Sequence, residues 1–176
     1  SDGAVTEIRC CRIEDSPRYA YRGLHVDVSR HFRSVDFLKK QMDAMAFFKM
    51  NRMHLHLTDA AGWRLEIDAY PRLTDFAAWR PQPTWKEWWK GDRRYVEKGL
   101  KGAYGGYYTK EDIAELVSYA AARHIELIPE IEMPSHSEEV LAARKKSNKK
   151  GATVLIIAII VGFIIGFILS SEILFK

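Results

Sequence analysis

Three short stretches of the chain carry residue types that do chemistry together. The first runs from Arg22 through Asp27-Val28-Ser29-Arg30-His31. The second is His54-x-His56-x-Thr58-Asp59, and the third is Glu130-x-Glu132-Met133-Pro134-Ser135-His136. An arginine presents several N–H donors in a fixed fork, which suits recognition of hydroxyls or carboxylates. An aspartate and a histidine converging from separate segments suit a hydrogen-bonded pair that tunes the pKa of a third group. Arg30 also reads as an ion-pair partner for a nearby acid. His54 and His56 share one face of an extended segment, but a metal needs a third ligand, and the sequence offers none at a clear spacing. The expectation is buried, hydrogen-bonded histidines, with no metal and no cofactor.

Elements that can hold these stretches are visible around them. Leu24–Val28 alternates as a strand, and Arg52–Thr58 returns to the same period of two. Between them, Ser34 caps a helix predicted over Val35–Phe48, with apolar residues recurring at three and four positions. Thr109 caps a second helix over Glu111–His124, and Glu126–Ile131 reads as the next strand. A further short strand is expected before the Asp15-Ser16-Pro17 turn. Residues 62–108 form a long connection that holds all five tryptophans, Trp63, Trp79, Trp85, Trp88 and Trp89. Those rings fit either a core or a platform for sugar rings. Strand and helix alternate, as in repeated βα units on a parallel sheet. In such repeats functional side chains collect at the C-terminal ends of strands, where all three polar stretches fall.

The composition changes sharply near residue 144. Before it the chain mixes charges and aromatics. After it come Arg144, Lys145, Lys146, Lys149 and Lys150, then Gly151–Ser171 without one charge. A helix rises about 1.5 Å per residue, so this stretch is long enough for a hydrocarbon core of about 30 Å. A basic cluster beside a membrane accounts for the formal charge of +4 without invoking nucleic acid. Gly162 and Gly166 form a Gly-x-x-x-Gly pair through which two such helices would associate as a homodimer. The two cysteines, Cys10 and Cys11, are neighbours and poorly placed to bridge each other, so no disulfide framework is expected. The start at Ser1-Asp2-Gly3, with no signal peptide, reads as a processed or excised segment.

The motifs resemble a known family. Pro17-Arg18-Tyr19-Ala20-Tyr21-Arg22-Gly23-Leu24-His25-Val26-Asp27-Val28-Ser29-Arg30-His31-Phe32 is similar to the first barrel strand of family 20 glycoside hydrolases, the β-N-acetylhexosaminidases. His54-Leu55-His56-Leu57-Thr58-Asp59 with Gly62-Trp63-Arg64 resembles their second strand. Gly105-Gly106-Tyr107-Tyr108-Thr109 and Pro129-Glu130-Ile131-Glu132-Met133-Pro134-Ser135-His136-Ser137 resemble the approach to the third strand and its end. The resemblance runs from Ile13 to Ala143. It implies a (β/α)₈ barrel that removes terminal N-acetylglucosamine or N-acetylgalactosamine with retention, the substrate's acetamido oxygen serving as nucleophile. It also implies that Arg22 binds hydroxyls of the terminal sugar, and that Asp59 and His136 belong to a hydrogen-bond chain ending on the general acid.

The sequence departs from that pattern in several places. The family's fourth-strand His-x-Gly-Gly-Asp-Glu motif, which supplies the acetamido-orienting aspartate and the general acid, is not in these 176 residues. Ala60 and Ala61 follow Asp59 where a second aspartate or similar polar group is usual, and Ser135 stands where glycine is usual.

The expected fold class is therefore α/β: the first three βα units of a (β/α)₈ TIM barrel, followed by a single transmembrane helix. Residues 1–16 read as the remnant of a preceding domain or linker, 17–143 as a partial catalytic barrel, 144–150 as a basic juxtamembrane linker, 151–171 as the membrane span and 172–176 as a tail. The expected partners are N-acetylhexosamine-containing glycans and a membrane. The expected activity is β-N-acetylhexosaminidase-like, carried by a truncated chain that is inactive alone. Two alternatives stay open: a non-catalytic membrane-anchored protein that binds carbohydrate or a partner, and a fused or truncated reading frame without function. The lysine cluster predicts a cytoplasmic soluble part, whereas the family resemblance predicts an extracytoplasmic one.

Overall fold

The computed structural model describes residues 10–146 of the chain. Gly151–Ser171, with Gly162 and Gly166, lies outside them. Among the described residues no helix is long and apolar enough to cross a membrane, and no strand precedes Gly23, so the strand expected before Asp15 is absent from the described part of that segment.

The order of elements follows local signals. Strand β1 (Gly23–Asp27) leads to helix α1 (Val35–Phe47), whose Ser34 hydroxyl accepts the Phe37 amide at 3.2 Å. Strand β2 (Arg52–His56) ends two residues short of Thr58. The run expected as one strand instead divides at Leu57, because Ala60 and Ala61 turn the chain into a small hairpin of β3 (Thr58–Asp59) and β4 (Gly62–Trp63). The tryptophan-rich connection then contributes α2 (Arg72–Asp75), β5 (Trp79–Arg80), α3 (Trp85–Lys90) and β6 (Tyr104–Gly105), with β5 and β6 paired antiparallel. Helix α4 (Lys110–Ala121) opens on a capping box between Thr109 and Asp112. It ends short of the expected His124, which adopts a left-handed φ of 56° that no helix continues. Strand β7 (Glu126–Glu130) and helix α5 (Glu138–Lys146) complete the described part.

One parallel sheet in the order β1-β2-β7 holds these parts in register, with His25 opposite His54 and His56 opposite Glu130. Side chains alternate across it. Leu24, Val26, Met53, Leu55 and Leu127 pack on one face against Leu38, Met42, Met45, Leu116 and Ala120 of α1 and α4. The other face carries His25, Asp27, Arg52, His54, His56 and Glu130. A second apolar cluster, built on Trp63, Leu65 and Leu73, joins the β4–α2 segment to Val140 and Ala143 of α5.

Arg64 and Glu139 are the most deeply buried of the charged side chains in this framework. Arg64 is fully enclosed and donates only to backbone carbonyls: Nε to Val28, Nη1 to Ala78 and Gly106, and Nη2 to Ser29, at 2.6–3.0 Å. Its guanidinium passes so close to Gly62 that a Cβ there would collide with it. Burial, followed by the nearby Arg80 charge, lowers the Arg64 pKa to about 10. Glu139, in the first turn of α5, is also fully buried, and neither carboxylate oxygen has a hydrogen-bond partner among the described residues. Burial raises its pKa to about 8.

Candidate active site

The C-terminal ends of β1, β2 and β7 deliver one connected polar network. Asp59, buried at the end of β3, is its hub. Its Oδ2 accepts from Arg30 Nη2 at 2.6 Å and lies 3.2 Å from His56 Nε2. Its Oδ1 accepts the Ala60 amide at 2.7 Å and lies 3.4 Å from His136 Nδ1. Arg30 also reaches back to Asp27 Oδ2 at 2.6 Å, so one guanidinium bridges two carboxylates from different segments. His136 holds a left-handed φ of 55°, which turns the chain after β7 so that its ring faces Asp59.

The electrostatics follow from these contacts. Burial opposes ionisation of Asp59, but the His56 hydrogen bond and the Arg30 charge outweigh it and lower its pKa. The Asp59 hydrogen bond, assisted by Glu130, raises the His56 pKa to about 9 against the cost of burial. Burial likewise opposes ionisation of Glu130, yet hydrogen bonds from Glu132, His56 and His25 bring its pKa down to about 2. The hydrogen bond to Glu130, with burial second, raises the pKa of Glu132. A carboxylate held ionised beside one inclined to keep its proton is an arrangement suited to proton handling.

Arg30, Asp59, Ser135 and His136 line an open pocket of about 320 Å³, flanked by Trp85 and Trp89. That volume lies at the small end of the roughly 300–1,000 Å³ typical of small-molecule sites. Trp85 and Trp89 are one helical turn apart on α3, stacked with centroids at 5.5 Å and planes at 20°. Both are exposed, whereas Trp63 and Trp88 are buried. Four of the five tryptophans thus divide between the core and the rim of this pocket, and Trp79 is half-buried. Helical spacing of Trp85 and Trp89 behind a Thr84–Glu87 capping box was the signal in the sequence for that rim.

The predicted residues do not all meet. Asp59 and His136 come together. Arg22 does not join them, which corrects its expected position: it precedes β1, at the opposite end of the strand. Six residues of about 3.3 Å rise put it roughly 20 Å from the level of Val28. Its guanidinium is occupied by the carbonyls of Lys49 at 2.5 Å and Tyr19 at 2.6 Å. Arg30 stands at the pocket instead, while also forming the ion pairs its sequence suggested. His54 is half-buried and His25 more exposed, so the expectation of buried histidines holds for His56 alone. Cys10 and Cys11 are free and exposed.

Comparison with known proteins gives consistent matches. The model of the glycosyl hydrolase family 20 catalytic domain matches residues 19–157. A β-hexosaminidase of Akkermansia muciniphila is 46% identical over 141 residues, covering 80% of this chain and 26% of the relative. An N,N'-diacetylchitobiase of Vibrio harveyi is 43% identical over 131 residues, covering 74% of this chain and 15% of the relative. Among solved structures, the exo-β-N-acetylglucosaminidase of Vibrio harveyi in complex with N-acetylglucosamine superposes with a TM-score of 0.64 at 37% identity, covering 78% of this chain and 20% of that one. A crystal structure of a β-N-acetylhexosaminidase gives 0.61 at 45% identity, covering 73% and 24%. The chain spans about a quarter or less of the length of these proteins.

Proposed function

The chain belongs to glycosyl hydrolase family 20, and on that premise we propose that its pocket receives the terminal N-acetylhexosamine of a glycan. The observation that carries this reading is the convergence of Arg30, Asp59 and His136 on one pocket walled by Trp85 and Trp89. The guanidinium fork of Arg30 holds ring hydroxyls, and the stacked indoles receive an apolar sugar face. Asp59 and His136 are positioning residues, the inner members of a hydrogen-bond chain toward a general acid. The parallel β1-α1-β2 and β2-α4-β7 arrangement supports the reading of residues 17–143 as the first three units of a (β/α)₈ barrel. On this reading residues 1–16 belong to the preceding linker.

A second reading is binding without turnover. Ala60 lines the pocket next to Asp59 and contributes no polar group, and the 176 residues contain no His-x-Gly-Gly-Asp-Glu motif. The polypeptide of residues 1–176 is therefore expected to bind N-acetylglucosamine but not to cleave its 4-nitrophenyl glycoside. Arg30→Ala is expected to weaken binding by about 1.5–3 kcal/mol, roughly 10–150-fold. Arg22→Ala is expected to leave it unchanged. Calorimetry, with circular dichroism to confirm that each variant is folded, separates the two. Weakening by Arg22→Ala alone would return the sugar site to the far end of β1.

We further propose that residues 151–171 form a single membrane-spanning helix, with 144–150 as its basic flank, 172–176 as its tail and Gly162/Gly166 as a pairing face. The support is an uncharged apolar stretch of sufficient length. The chain is expected to stay with membranes through alkaline carbonate extraction, and protease protection reports the side of the soluble part. Release into the supernatant would remove the span.

A further inference from the structure

The polar face of the β1-β2-β7 sheet carries a second cluster, distinct from the residues that line the sugar pocket. His25 and His54 are register partners on β1 and β2, and their rings meet edge to face with centroids 4.7 Å apart. Glu130 on β7 turns one carboxylate oxygen toward both. Its Oε2 lies 2.8 Å from His54 Nε2 and 3.1 Å from His25 Nε2. A third imidazole approaches from below. His56 Nδ1, on a buried ring, lies 3.0 Å from the same oxygen. One carboxylate oxygen therefore has three ring nitrogens packed around it.

Hydrogen-bonded nitrogen and oxygen atoms this close are able to share one ion, and the two imidazole nitrogens and the carboxylate oxygen all lie within 4.8 Å of one another. Metal–ligand bonds of about 2.0–2.2 Å place neighbouring donors about 2.9–3.5 Å apart. We propose that His25 Nε2, His54 Nε2 and the Glu130 carboxylate form a binding site for a divalent transition ion, taking Zn²⁺ with solvent in the remaining positions. Two imidazoles and a carboxylate form a donor set that suits zinc and its neighbours rather than magnesium or calcium. The third ligand that the sequence did not offer arrives from β7. Backbone pairing fixes all three donors on adjacent strands, so little ordering is left to the ion. Side-chain exposures of 51% for His25, 35% for His54 and 27% for Glu130 leave a path from solvent. His56 is not a member of the group whose donors all lie within 4.8 Å of one another, which holds His25, His54 and Glu130. It braces Glu130 as a supporting group. The neighbouring trio of His56, Glu130 and Glu132 has donors within 4.8 Å of one another too, but its imidazole is buried, whereas His25 and His54 are partly open to solvent.

The test uses the full 176-residue chain in detergent micelles, titrated with Zn²⁺ against a chromophoric chelator and with Co²⁺ followed by visible absorption. One ion per chain is expected, with Co²⁺ bands of nitrogen and oxygen ligation. His25→Ala, His54→Ala and Glu130→Gln should each weaken Zn²⁺ by more than the on-the-order-of 10–100-fold that loss of a supporting group costs. The double variant Cys10→Ser/Cys11→Ser should bind as tightly as the parent. Absence of binding, wild-type affinity in both histidine variants, or thiolate-to-cobalt bands that disappear with the cysteines would each overturn the site. The histidines are partly exposed, and circular dichroism of each variant distinguishes lost ligation from lost folding.

Discussion

Replacing Arg64 by methionine is expected to cost this chain most of its ordered structure around the tryptophan-rich insertion. The carbonyls of Val28, Ser29, Ala78 and Gly106 all accept from that one guanidinium in a fully buried position. Methionine fills a similar volume but leaves the carbonyls of Val28, Ser29 and Gly106 without donors, and Ala78 with only the Gly106 amide at 3.4 Å. Each orphaned group costs about 1–3 kcal/mol, or roughly 3–9 kcal/mol for the three. Whole domains are stable by only about 5–15 kcal/mol. The emission of buried Trp63 and Trp88 should shift to the red, and the segment should become open to limited proteolysis. Arg64→Lys keeps the charge but not the planar fork, and is expected to recover little. Unchanged emission and protease resistance in Arg64→Met would mean that the carbonyls find other donors.

The second large effect is a stability that falls as pH rises. Glu139 keeps its proton up to about pH 8 in the folded chain, whereas its ordinary value is 4.5. Below the lower value both folded and unfolded states hold the proton, and the group has no influence. Between the two values the unfolded chain releases the proton and the folded one does not, so each pH unit costs about 1.4 kcal/mol. At pH 7 the accumulated cost is about 3 kcal/mol. Glu139→Gln removes the ionisation while keeping the shape. Amide-exchange protection of α5 and of the Trp63 cluster should match the parent near pH 4.5 and exceed it progressively toward pH 8. A difference between the two proteins that does not change with pH would show that Glu139 is ionised in place.

The sequence revealed the sheet elements more fully than the site. Ser34 and Thr109 announced both long helices, and the alternation of Leu24, Val26, Met53 and Leu55 announced strands whose partners are local in pattern. The hairpin at Ala60-Ala61 was hidden because two alanines carry no turn signal of their own. It forms through tertiary bonds instead, the Leu57 amide to the Glu130 carbonyl and the Arg64 amide to the Leu57 carbonyl. Asp59 and His136 were legible by motif. Arg22 and Arg30 are both arginines close to one strand, and only the direction of β1 separates them. The small elements of residues 62–108 have two to six residues each, too short to show a period.

The two chemically opposite faces of the parallel sheet bear on how the strands find their alignment. A slip of one residue between β1 and β2 would turn Met53 and Leu55 toward water and drive His54 and His56 into the methionine-rich core, so hydrophobicity forbids odd slips. A slip of two residues preserves the faces, and hydrophobicity cannot detect it. The polar face can: it would separate His25 from His54, and the same slip at β7 would part Arg52 from Glu126, now 3.0 Å away, and carry Glu130 off its three imidazoles. One surface thus rejects misalignment by an odd count and the other by an even count, a two-part check that a uniformly apolar sheet would lack.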